Sequence, residues 1–362
     1  MEKIYLLTNH RGAFGNKYKT SPYHSGMDKL RLSSFFKDKG YKVIFISPSE
    51  IDFRDKKYKN ALVLYTTTED NKEYYKLYIE DIVLGLETVG ANVIPSFIYL
   101  KSHHNKVFME ILRDIQDFKP LNNIETQKFG TLEEFQRYFK TGEDNIVVKM
   151  ASGASSLGVF LGKGYKDLLN KVKIASKTYH IKEDIKELVR KYKHKGYKPV
   201  SRNRNKFITQ NFIPNLSNDW KILIYSDKYY IVERPVRKND FRASGSGKEK
   251  YLFGAEVNIP NGIFDYAKSI YNKLNVPILS IDIALANDQF YTLEFQFTGF
   301  GTSGQQLSNN FFVNKDDTWV PIYQKLELEE VYTQSITDYL SRKCFNERKS
   351  KTQNVDYSSC TI

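Results

Sequence analysis

The feature that most restricts the fold is a change of pattern along the chain. Over the first hundred residues, short apolar runs alternate with longer segments whose apolar residues recur at helical spacing. From residue 207 onward short strands follow one another across turns instead. Apolar runs at 4–8, 43–47, 61–65 and 92–94 predict buried strands, and helices are predicted at 27–39 and 75–88. Gly40 and Gly90 stand where a helix C-terminus favours a left-handed residue. Such alternation predicts a parallel α/β lobe. The later strands, at 207–212, 221–225, 229–233, 279–286 and 289–295, predict an antiparallel sheet with turns at 226–228 and 287–288. Helices are predicted at 105–118, at 131–139 with Thr131 as N-cap, at 263–274 and at 321–342. The expected units are 1–104, 105–210 with a mobile basic loop at 182–206, 211–345, and a disordered polar tail from 346 to 362.

Composition excludes several classes. No apolar run reaches the ~18–20 residues of a spanning helix. The N-terminus lacks a basic region with a small-residue cleavage site, and Cys344 and Cys360 make neither a disulfide framework nor a metal cluster. A reducing cytoplasm is therefore expected, without membrane insertion. The formal net charge of +13 suits anionic partners, and a Lys-rich solvated surface explains it equally well. No nucleic-acid signature accompanies the charge, so no nucleic-acid partner is expected.

Four pieces carry chemistry, in chain order. A strand at 145–150 places Lys149 before a Gly/Ser loop that holds Ser152, Gly153, Ser155, Ser156 and Gly158. Backbone N–H groups of such a loop fold over phosphates, and a lysine adds a point charge; a plain hairpin reads the same way. Next, an apolar strand runs through Gln210, Asn211, Phe212 and Ile213 toward Asp219 and Lys221, offering backbone to an adenine edge or forming a simple edge strand. Third, Arg234, Arg237 and Arg242 lead into a glycine-rich stretch with Ser244 and Gly245. Guanidinium groups fork onto carboxylates and phosphates, although a solvated Arg-rich turn has the same appearance. Last, Asp282 and Glu294 interrupt apolar strands, with Gln296 two residues on and on the same face. Buried carboxylates need a cation. Three oxygen donors suit Mg²⁺, and an ion pair with Arg234 or Arg242 would satisfy them as well.

Together, in this order, the pieces resemble the ATP-grasp superfamily, particularly its glutathione-synthetase-like and ribosomal-protein glutamate ligase branch. The resemblance covers about residues 105–305. It implies an N-terminal parallel α/β lobe followed by two α+β lobes that clamp ATP. It also implies a carboxylate–amine ligase that forms an amide through an acyl phosphate and releases ADP and phosphate. Lys149 and Lys106 would touch ATP phosphates under the flap, and 210–213 would line the adenine pocket with Asp219 and Lys221 nearby. Arg242, with Arg234, would steady the acyl phosphate. Asp282, Glu294 and Gln296 would hold Mg²⁺, as two ions, with Mn²⁺ as a substitute. Met150 stands where the family often has proline, Lys221 replaces its arginine, and Gln296 its asparagine.

Small-molecule, peptide-borne and polymer-linked acids and amines, anionic ones included, all fit these residues. The loop at 11–26 follows the first strand, where α/β folds bind ligands. Its Arg11, Lys17, Lys19 and His24 are the candidates for an anionic group. A kinase on the same scaffold and a non-catalytic nucleotide-binding module are the competing readings.

Overall fold

The computed structural model describes residues 1–20, 25–68, 73–153, 158–178, 180–237, 240–243 and 251–353. The first lobe comprises β1 (Glu2–Leu7), α1 (Lys29–Asp38), β2 (Tyr41–Ile46), β3 (Leu62–Tyr65), α2 (Tyr74–Thr88) and β4 (Asn92–Ile94). Its sheet is parallel, in the order β2-β1-β3-β4. Gly40 and Gly90 close their helices at φ of 88° and 87°, as their positions predict. Side chains alternate across β1. Tyr5 and Leu7 pack with α2, whereas Ile4 and Leu6 face a core shared with the C-terminal strands and the last helix. The N-terminal lobe is therefore built onto the C-terminal one.

The chain continues through α3 (Phe97–Ser102) and α4 (Lys106–Gln116). The middle lobe then holds β5 (Thr126–Phe129), α5 (Leu132–Tyr138), β6 (Asn145–Met150), β7 (Val159–Lys163), α6 (Gly164–Ser176), α7 (Ile181–Lys193) and β8 (Phe207–Asn211). These strands form an antiparallel sheet in the order β5-β8-β6-β7. Thr131 caps α5 by accepting the Glu134 N–H at 3.1 Å. The predicted loop at 182–206 is corrected here: its first half is α7, because Ile181, Ile185, Leu188 and Tyr192 recur at helical spacing within the lysine-rich run.

The third lobe comprises β9 (Asn218–Tyr225), β10 (Lys228–Pro235), β11 (Leu252–Phe253), α8 (Ile263–Leu274), β12 (Ile278–Ala286), β13 (Gln289–Gln296), α9 (Ser303–Leu307), β14 (Phe311–Lys315), β15 (Thr318–Ile322) and α10 (Leu328–Gln353). The sheet order is β13-β12-β9-β10-β14-β15, with β11 on β10. Asn287 and Asp288, both at positive φ, make the predicted turn. The helix predicted at 321–342 begins only at Leu328, because Phe311–Ile322 is a hairpin. It continues to Gln353, past residue 346 where a tail was expected. Although it precedes the middle lobe in sequence, α4 buries Met109 and Leu112 in the core of the third lobe. Among the described residues no helix is long and apolar enough to cross a membrane.

Candidate active site

Between the middle and third lobes lies a cleft of about 380 Å³. Its lining mixes apolar side chains, Val147, Val159, Ile213, Leu216, Val236 and Leu293, with His104, Lys106, Lys149, Arg242, Glu294 and Gln296. Apolar surface for a base beside cations for phosphates is the combination a nucleotide requires.

Lys149 is placed by the β6 ladder, paired with Val159 on one side and Ile208 on the other. Burial pulls its ammonium down to about 8; Lys106 and Arg113 add to that drop, while Glu110 and Glu294 oppose it. Lys106 opens α4 and is buried. Its backbone N–H donates to the Ala151 carbonyl at 2.9 Å and its Nζ to the Gly153 carbonyl at 3.1 Å. The start of the glycine-rich loop is thereby seated on the N-terminus of α4. Gly158 ends that loop at φ 78°, and a Cβ there would lie 2.6 Å from Met150 Sδ. Methionine after the lysine therefore requires glycine opposite. Ser155 and Ser156 lie outside the described residues, as do His24, Ser244 and Gly245.

Asn211, Phe212 and Ile213 line the cleft. Gln210 is buried in β8; among the described residues its Nε2 has no hydrogen-bond partner and it is not in the cleft lining. Arg11 sits on an exposed turn away from the cleft. Lys17 reaches the third lobe instead, its Nζ 2.6 and 2.9 Å from the buried Glu329 carboxylate.

At the acidic wall Asp282 and Glu294 face each other directly across β12 and β13, and Gln296 donates to Glu294 Oε1 at 3.1 Å. Arg234 is buried between two carboxylates. It forks onto Asp219 at 2.6 and 2.9 Å, and its Nη2 lies 2.8 Å from Asp282. Lys221 approaches Asp282 at 3.2 Å. Burial alone would raise the Asp282 carboxyl, yet Arg234 and then Lys221 outweigh it and hold Asp282 at about 2. The ion pair and the oxygen wall thus coexist. Among the described residues no group of three or more His, Cys, Asp or Glu is arranged around a metal position. The donor chemistry that fits Mg²⁺ is the Glu294 carboxylate with the Gln296 amide oxygen beside Asp282, an oxygen-only set that leaves positions for phosphate and water.

Arg242 binds Asp240, Nη2 to Oδ2 at 2.6 Å, and reaches toward the Val159 carbonyl at 3.5 Å. Sequence reasoning missed two contributors. His104, at φ 50°, lines the cleft. Arg113 braces β13 from behind, donating to the carbonyls of Thr292 at 2.9 Å and Leu293 at 3.2 Å. The sequence signal for Arg113 is its place four residues after Met109, on the face of α4 that turns inward.

No family model matches the chain, and no curated protein matches it. Solved structures do. D-cycloserine synthetase DcsG superposes with a TM-score of 0.54 at 9% identity, covering 93% of this chain and 99% of that one. The ADP complex of purK, N5-carboxyaminoimidazole ribonucleotide synthetase, gives 0.50 at 11% identity, covering 85% and 73%. A RimK domain ATP-grasp protein from Sphaerobacter thermophilus gives 0.48 at 11% identity, covering 93% and 98%. The chain has the ATP-grasp fold. Because the two synthetases are named for different products, the likeness carries the fold and no particular branch of it.

Proposed function

We propose that this ATP-grasp chain is a carboxylate–amine ligase that forms ADP and phosphate. The observation that carries the reading is the seating of the glycine-rich loop on Lys106, in a cleft that Lys149, Arg242, Glu294 and Gln296 also line. In the reaction a substrate carboxylate oxygen bonds to the γ-phosphorus of ATP as the bond to ADP breaks. An amine then adds to the acyl carbon, phosphate leaves, and the nitrogen loses a proton. Phosphoryl transfer needs charge neutralisation and alignment rather than a covalent nucleophile.

Here Lys106 and Lys149 would hold phosphate oxygens, and Arg242 would meet the charge that grows on the acyl phosphate. Glu294 and Gln296, with Asp282, would hold Mg²⁺, which supplies neutralisation of phosphate charge. Arg234 and Lys221 keep Asp282 ionised and fixed, so they act as positioning residues.

The test is calorimetric binding of ADP, followed by ADP release across a matrix of acids and amines. Binding in the parent, at least about tenfold weaker in Lys149→Met, with turnover requiring both an acid and an amine, is the expected result. An unchanged affinity in that variant, or turnover with an alcohol and no amine, would sink the ligase reading.

A further inference from the structure

α7 carries on its surface a feature that the cleft does not use. Ile181, Ile185, Leu188, Val189 and Tyr192 fall on one helical face, and they are 76%, 56%, 58%, 45% and 93% exposed. No residue of α7 is buried. Amphipathic helices normally turn such a stripe to a core. Here the helix is held instead by its acidic residues. Asp184 meets Arg202 at 3.5 Å, while Glu187 accepts from Tyr197 Oη at 2.9 and 3.0 Å and from the Val200 N–H at 3.0 Å. These contacts tie one flank of α7 to the returning loop and leave the apolar stripe outward.

At 100° per residue, Lys182, Lys186 and Lys193 lie along the other border of the stripe; Lys186 also makes an exposed pair with Glu183 at 2.8 Å. The surrounding segment, residues 177–206, holds eleven Lys and Arg against three Asp and Glu. Two of those three acids face the loop.

We propose that α7 is a docking site for an acidic amphipathic helix of a partner protein. The partner's apolar face covers the exposed stripe, and its carboxylates lie along the row of Lys182, Lys186 and Lys193. This inference stands apart from the ligase reading, since the stripe lies outside the cleft. Charge complementarity selects the occupant. A second copy of α7 would bring two strongly basic segments together. A helix lying on an anionic bilayer presents cations along both borders, whereas the border of this stripe toward the loop at 197–202 holds the carboxylates of Asp184 and Glu187.

The test uses the full chain and three fluorescein-labelled helical peptides with the same leucine stripe and acidic, neutral or basic flanks. Fluorescence anisotropy should show the acidic peptide bound at least about tenfold more tightly than the basic one. Its affinity should fall at least about tenfold in Leu188→Asp and weaken further as salt is raised. The variant should fold as the parent does, with unchanged ADP binding, because α7 contributes nothing to a core. Equal binding of the three peptides, or an acidic peptide indifferent to Leu188→Asp, overturns the proposal. So does self-association of the parent that Leu188→Asp abolishes. Sedimentation with phosphatidylglycerol vesicles in preference to the acidic peptide assigns the surface to a membrane and overturns it too.

Discussion

Lys149 gives the sharpest test of the cleft, because its ammonium sits at about 8 in the protein alone. At pH 8 it is about half protonated. If nucleotide phosphates lie against it, their charge restores it toward the ordinary lysine value of about 10.4. Binding must then take up protons: about 0.5 at pH 8, about 0.9 at pH 9, and almost none at pH 6.5. The bound state holds more protons than the free state, so affinity falls as pH rises through 8, by about tenfold between pH 7 and pH 9. Calorimetry with ADP at pH 8 in Tris and in HEPES reads this uptake directly. The two buffers release different heats per proton, and the gap between the apparent enthalpies divided by that difference is the number bound. Lys149→Met should bind ADP more weakly with the linkage gone. Equal enthalpies in both buffers would mean that no phosphate reaches Lys149. A linkage that persists in the variant would assign the proton to another group.

Other expectations follow from buried charge and tight packing. Lys17→Met leaves the buried Glu329 carboxylate without its ammonium and should cost about 3–5 kcal/mol in urea denaturation, with part recovered by Glu329→Gln; an unchanged stability would return Lys17 to ligand binding. Gly158→Ala should cost about 1–2 kcal/mol for its left-handed backbone plus the clash with Met150. Adding Met150→Ala should recover only the clash, and complete recovery would refute the backbone argument. Burial, then the charges of His104, Lys76 and Lys106, hold His103 well below 6.5. Below about pH 6.5 the unfolded chain therefore takes a proton that the folded chain refuses, and stability falls as pH drops, by up to about 1.4 kcal/mol per unit. Denaturation at pH 5.5 and 7.5 should show a shallower slope in His103→Gln.

Much of the scaffold was legible because strand and helix periods are local signals. The apolar runs of β1, β3 and β4, the glycines after α1 and α2, and the Asn287-Asp288 turn each specify their neighbours with little help from distant parts of the chain. The middle and end of the chain read less well where charge hid the period. In α7 the apolar residues are separated by Lys, Arg and Glu, so a stripe with no core behind it looked like a loop. The hairpin of β14 and β15 was lost because its strands carry Asn, Lys and Pro, which interrupt the apolar pattern.

For the site, residue types and order placed Lys149, Asn211, Glu294 and Gln296 in one cleft. Which cation serves which carboxylate was not legible, since pairing depends on register between strands far apart in sequence. Arg234 shows why this matters. From the sequence it belongs with Arg242 as a ligand for phosphate, two arginines eight positions apart leading into one loop. In the folded chain β10 pairs Arg234 with Asp219 on β9, and β9 pairs Lys221 with Asp282 on β12. That register puts Arg234 between two carboxylates and commits its fork before any ligand arrives. Arg242, beyond the end of the strand, is partly exposed and pairs with the Asp240 carboxylate. A guanidinium buried in a paired network orients its neighbours, whereas one at the rim can exchange a carboxylate for a phosphate. Lysine at position 221 fits the same logic. With Arg234 already forked onto Asp219 and touching Asp282, a second fork is not needed there, and a point charge at 3.2 Å completes the neutralisation of Asp282.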